Sequence, residues 1–127
     1  MIRLFHFFKL FHFLKYYHTF AGMVIITKTT IEKYALAHST AAEPLNSWYK
    51  ATRRADWSSF SDVRKTFNSA DYVGNNRIVF NIKGNDFRLI ALVLFSTRTI
   101  FILWLGTHAE YDKLNKSIGA KNVEYEN

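Results

Sequence analysis

The sequence predicts an α+β fold, with N-terminal helices packed on a small antiparallel sheet and a short helix after the last strand. Three observations carry this expectation. Helix-spaced apolar residues run from Ile31 to Ala55, strict alternation takes over from Arg77, and a capping motif follows the last apolar run at Thr107. With 127 residues and 49% apolar content the chain has material for one core.

The opening segment stands apart. LFHFFK followed by LFHFLK places Arg3, His6, Lys9, His12, Lys15 and His18 at every third position. On a helix these spread around the whole cylinder, and in a strand they break the alternation, so neither leaves an apolar face. A membrane span needs about twenty mainly apolar residues, and a secretory signal about 7–15. The cations interrupt both. Residues 1–22 are therefore expected to be a non-native or disordered leader, with the natural start at Met23; an interfacial anchor is the alternative.

After Met23, Val24–Thr27 reads as a first strand. Thr29 and Thr30 precede a helix carrying Ile31, Tyr34, Ala35 and His38 at helical spacing. Pro44 suits the first turn of a second helix, with Leu45, Trp48, Thr52 and Ala55 on one face. Lys50, Arg53, Arg54 and Trp57 fall on other faces, a basic, aromatic-flanked stripe able to hold phosphates. A solvated helix face reads equally well there. Ser59 and Asp62 have capping-box spacing, opening a helix with Phe60, Val63 and Phe67 inward.

From Arg77 onward, Ile78, Phe80 and Ile82 alternate with Val79, Asn81 and Lys83, and Gly84-Asn85 is a hairpin signal. Phe87 to Phe95 and Thr99 to Gly106 form two further strands, separated by a polar break at 96–98. Their β-branched and aromatic content favours a buried hairpin over a membrane helix. Thr107 and Glu110 form a second capping box, and the polar chain from residue 116 to 127 reads as a frayed tail.

The net charge is +7, and no cysteine is present, which removes disulfides and thiolate chemistry. Residues 23–127 hold 14 basic and 10 acidic residues, a moderate excess that points toward a polyanion partner. With the hairpin closed at Gly84-Asn85, Asn81 faces Arg88, and Arg88 comes opposite about Gly106. That brings Arg88 and Lys83 toward His108, with Tyr111 and Asp112 on the same side of the last helix. A permanent cation, an imidazole and a phenol together suit phosphodiester chemistry on RNA. Arg88 paired with an acid and His108 as a packing or capping residue is the competing reading. No His/carboxylate set has metal-ligand spacing, and no phosphate-cradling glycine loop or serine elbow occurs.

The segments ADWSSFSDVRKTFNSADYVG, RIVFNIKGNDFRLIALV and GTHAEYDK resemble the HigB family of bacterial toxins from type II toxin–antitoxin pairs. The likeness runs from Met23 to about Leu114, which sets the expected toxin domain at residues 23–115. It implies a RelE-like fold and a cytoplasmic mRNA endoribonuclease that works on ribosome-bound message without metal or other cofactor, the 2′-hydroxyl attacking the adjacent phosphate. It also implies a helix-turn-helix antitoxin partner and no stable membrane association. The matching positions are Lys83, Asn85, Arg88, His108 and Tyr111. Arg88 is expected to stabilise phosphate charge, His108 and Tyr111 to transfer protons, and Lys50, Arg53, Lys83 and Asn85 to hold RNA. One departure is Leu103, where the family often carries a cation. The alternative function is a non-catalytic RNA- or DNA-binding component, or an inactive toxin acting only with its antitoxin.

Overall fold

The computed structural model describes residues 22–125; the expectations for the leader through residue 21 lie outside them. Strand β1 (Val24–Ile26) opens the fold. It ends one residue earlier than expected, because Thr27 turns into the left-handed region at φ 72° and starts helix α1 (Lys28–Ala37). The Thr27 hydroxyl accepts the Ile102 amide at 2.9 Å, tying that turn to the sheet.

Helix α2 (Ala42–Arg54) has Pro44 in its first turn and Arg53 and Arg54 in its last, where a cation complements the helix dipole. Leu45, Trp48 and Thr52 are buried along one face, as their spacing predicts. Trp57 departs from expectation. Instead of flanking the basic stripe it is 1% exposed, stacked on Phe80 at 6.1 Å, and its indole nitrogen donates to Thr66 Oγ1. The helix ends at Arg54, so its angular position on a helical wheel had no meaning.

Helix α3 (Phe60–Thr66) forms, but its cap differs from the predicted box. Asp62 accepts from the Ser58 amide and hydroxyl at 2.9 and 3.0 Å, while the Ser59 side chain makes no capping bond. Those hydrogen bonds, the backbone one foremost, hold the Asp62 carboxyl below its ordinary pKa.

Strand β2 (Asp71–Gly74) was not foreseen. It returns into β3 (Arg77–Ile82) through Asn75 and Asn76, both at positive φ, which asparagine tolerates better than most residues. Strands β4 (Phe87–Leu94) and β5 (Thr99–Thr107) complete a five-stranded sheet of order β1-β5-β4-β3-β2. The β3–β4 and β4–β5 pairs are antiparallel, as expected, and so is β2–β3, but β1 lies parallel to β5, so the sheet is mixed. The β3–β4 hairpin has the predicted register, Ile82 opposite Phe87 and Asn81 opposite Arg88. Its loop spans residues 83–86, and the left-handed residues are Lys83 and Gly84.

Alternation along the strands builds two cores. One face carries Ile78, Phe80, Ile82, Phe87 and Leu89 against Leu45, Trp48 and Trp57. The other carries Val79 and Ile90 against Ala120 and Val123, with Leu103, Trp104, Tyr111 and Leu114 partly buried around them. Helix α4 (His108–Ser117) opens with the predicted capping box, the Glu110 amide donating to Thr107 Oγ1 and the Thr107 amide to Glu110 Oε1. The chain beyond α4 does not fray as expected. Arg77 donates to the Val123 carbonyl at 2.9 Å and pairs with Glu124 at 3.2 Å, which anchors this segment across β3. Among the described residues no helix is long and apolar enough to cross a membrane.

Candidate active site

The candidate site lies on the sheet face opposite α1–α3, where β4 begins, β5 ends and α4 starts. Arg88 alternates with Phe87 and Leu89, so a strand that sends those two into the main core sends Arg88 the other way. Its register partner on β5 is Gly106. Strict pairing from Leu94↔Thr99 would place Leu105 there. The register shift between Ile90 and Ala91, with Leu103 as the extra residue, moves Gly106 into place.

Arg88 is only 8% exposed, and its guanidinium is held on three sides. Nη1 donates to the Phe87 carbonyl at 3.1 Å, and Nη2 to Asn85 Oδ1 at 3.2 Å. Nη2 also stands 3.5 Å from His108 Nδ1. Among the described residues no carboxylate pairs with Arg88, which leaves its charge to meet an anion.

His108 is the first residue of α4, and its backbone amide donates to the Asp86 carbonyl at 3.0 Å. The capping box and this bond fix its backbone at the hairpin loop. Its other ring nitrogen, Nε2, lies 3.4 Å from Asp112 Oδ2, one helical turn on. With the imidazole neutral, this geometry assigns the proton to Nε2, donating to Asp112, and leaves the Nδ1 lone pair facing Arg88.

Tyr111 is half-buried beside the Trp104 ring, centroids 6.3 Å apart. Burial raises its phenol pKa; Asp71 and Asp112 push the same way, and the Arg88 cation partly opposes them. The phenol is therefore protonated at neutral pH, as an ordinary tyrosine is, and its surroundings make it a weaker acid. Trp104 itself folds across Gly106. A Cβ at Gly106 would come 2.3 Å from the indole, so only glycine lets the ring lie there.

The structure thus brings Arg88, His108 and Asn85 together, with Tyr111 close enough for the Arg88 charge to act on its phenol. Lys83 stands at the rim, 3.6 Å from Asp86. Asn85 serves Arg88 through its oxygen, a positioning contact that the sequence reading did not foresee. Lys50 and Arg53 are not part of the cluster. They lie on α2, whose packing face covers the opposite side of the sheet, and Arg53 sits over the Tyr49 ring. Asp112 belongs to the site through His108, as its spacing four residues on had suggested. Trp104 and Gly106 were missed; a tryptophan two residues before a glycine in one strand was the available signal. Among the described residues no group of three His, Cys, Asp or Glu side chains could hold a metal ion.

A family model described as HigB_toxin, RelE-like toxic component of a toxin–antitoxin system, matches residues 41–114, which span α2 through most of α4. The chain is also 32% identical over 96 residues to the mRNA interferase HigB of Escherichia coli O6:H1 (strain CFT073). That alignment covers 74% of this chain and 93% of the relative. The matched span contains every residue of the Arg88–His108 cluster, and the chain belongs to the HigB family of RelE-like toxins.

Proposed function

We propose that this toxin is an mRNA endoribonuclease whose chemistry is carried by Arg88, His108 and Tyr111, within a functional domain of residues 23–115. The observation that carries this reading is the Arg88–His108–Asp112 relay. It offers a buried cation with no carboxylate partner, beside an imidazole whose Nδ1 lone pair faces it. The mRNA interferase relative supplies the substrate class.

In this reading the scissile phosphate sits against the Arg88 guanidinium, which gains strength as charge develops on the non-bridging oxygens. As the Arg88 Nη2 donor turns to the phosphate it releases His108 Nδ1, which takes the proton of the 2′-hydroxyl, and Asp112 stabilises the resulting imidazolium. The 2′-oxygen attacks phosphorus while the bond to the 5′-oxygen breaks. Tyr111, protonated at neutral pH, gives its proton to that leaving oxygen as negative charge develops there. The products are a 2′,3′-cyclic phosphate and a 5′-hydroxyl, and the residues themselves supply both the charge and the proton transfers. Lys83, at the rim, and the free side of Asn85 hold the neighbouring RNA backbone. The message is taken on the ribosome, in the cytoplasm, and the antitoxin is a helix-turn-helix protein.

The test is cleavage of single-stranded message by the purified chain, with and without ribosomes. Wild type is expected to cut, to be unaffected by chelators, and to fail on RNA carrying a 2′-deoxy nucleotide at the cut site. Binding without scission under both conditions would replace the enzyme with a binding component.

A further inference from the structure

Beside the catalytic cluster, along the edge of β5 that β1 leaves uncovered, a groove of about 690 Å³ lies between α1 and α4, lined by Thr30, Lys33, Trp104, Leu105, Leu114 and Tyr125. Trp104 belongs to both. Its ring crosses Gly106, the register partner of Arg88, lies beside Tyr111, and lines the groove. The β-bulge at Leu103 produces this arrangement. It turns Leu103 and Trp104 to the same face and leaves Leu105 packed on the opposite core.

Resting on the ribonuclease reading above, we propose that Trp104 is the platform on which a nucleobase next to the cut bond stacks, with the groove receiving that nucleotide. The chemistry of the walls fits a base. The floor is aromatic and aliphatic, so it offers a flat apolar contact to a π-face. The Lys33 ammonium at one side offers a cation for a phosphate. Glu124, the acid at the rim, has its charge taken by Arg77 at 3.2 Å. Continuity with Arg88 comes through Gly106, its register partner, over which the Trp104 ring lies. A tryptophan half-open to solvent over a glycine is otherwise a poorly shielded core residue. Trp48 and Trp57, the other two tryptophans, are 2% and 1% exposed.

That difference supplies the assay. Trp104 is the tryptophan a ligand can reach, so the intrinsic fluorescence of the full chain is read while a single-stranded RNA with 2′-deoxy substitution at the cut site is added. Quenching is expected, and it should vanish when the base beside the cut is replaced by an abasic nucleotide. In cleavage assays Trp104→Ala should raise KM roughly 5- to 150-fold with a smaller change in kcat, the loss of one base–aromatic stack. Trp104→Phe should restore most of it. Wild-type KM in Trp104→Ala, or a loss that tracks its melting temperature and is not rescued by Phe, overturns the platform. Quenching by the antitoxin but not by RNA also overturns it, making the groove a protein interface. If wild type cuts no RNA, the ribonuclease reading fails; quenching that needs the base still supports the platform, and its absence overturns it.

Discussion

Arg88 Nη2 and His108 Nδ1 stand 3.5 Å apart, although twenty residues separate them along the chain. The approach depends on two devices: the β4–β5 register that puts Gly106 opposite Arg88, and the capping box that starts α4 immediately afterwards. Arg88→Ala and His108→Ala should each lower cleavage by roughly 10²–10⁴-fold. The double variant should lose far less than the product, because the pair acts as one unit. Single-turnover kinetics on a defined RNA checks this, and a loss below about tenfold for either variant would remove that residue from the chemistry.

Tyr111 carries a pH signature. Its phenol pKa is raised in the fold, chiefly by burial, and Tyr34 is raised in the same direction for the same main reason. Below the ordinary tyrosine range both folded and unfolded phenols hold their protons, so this contribution to stability is fully present. Above it the unfolded phenol ionises first, and stability is lost as pH rises through the folded pKa. Melting temperature should fall as pH rises above about 10, and Tyr111→Phe should flatten part of that limb. The same variant should lower cleavage by roughly 10²-fold or more.

Thr107→Ala tests whether the cap serves the site. It removes the hydroxyl that accepts the Glu110 amide and should cost about 1 kcal/mol in chemical denaturation. If the cap positions His108, cleavage at a temperature where the variant is fully folded should also fall. An undiminished rate would show that the Asp86 carbonyl alone suffices to hold His108.

Trp57 belongs to the core, so Trp57→Ala should cost about 3–5 kcal/mol, close to the whole stability of a small domain. Thr66→Val, which orphans the buried indole N–H, should cost about 1–3 kcal/mol. Urea denaturation measures both. A surface-like loss for Trp57→Ala would restore the expectation that this residue flanks the basic stripe.

The salt dependence of RNA binding separates rim cations from remote ones. Lys83→Ala should reduce the slope of log K against log salt by about 0.7, one single-strand phosphate contact. Lys50→Ala with Arg53→Ala should leave it unchanged, since α2 covers the other side of the sheet. A slope reduced by about 1.4 in that double variant would mean that RNA wraps around to α2.

Much of this architecture is legible in one dimension because the forces behind it are local. The spacing of Leu45, Trp48 and Thr52 identified the buried face of α2, since a helix repeats its directions every 3.6 residues. Period-two alternation around the 83–86 loop gave Asn81 opposite Arg88, and the Thr107–Glu110 cap is closed within one turn. Where local signals were ambiguous, expectation failed. Ser58 and Ser59 differ by one position as partners of Asp62, and Asn75-Asn76 was passed over as a hairpin turn. Trp57 was judged by a helix that had already ended.

What the sequence by itself determined, then, is the α+β class, the order of the elements and the Arg88, His108 and Tyr111 neighbourhood, because alternation and caps act over a few residues. Only the tertiary structure decided that β1 runs parallel to β5, that Leu103 bulges, and that the segment after α4 is clamped by Arg77. Each of these joins residues distant in the chain, and its free energy comes from burial and pairing across the sheet. The bulge matters most for the site: one extra residue in β5 turns Trp104 onto the face of Arg88, a choice that no local propensity makes.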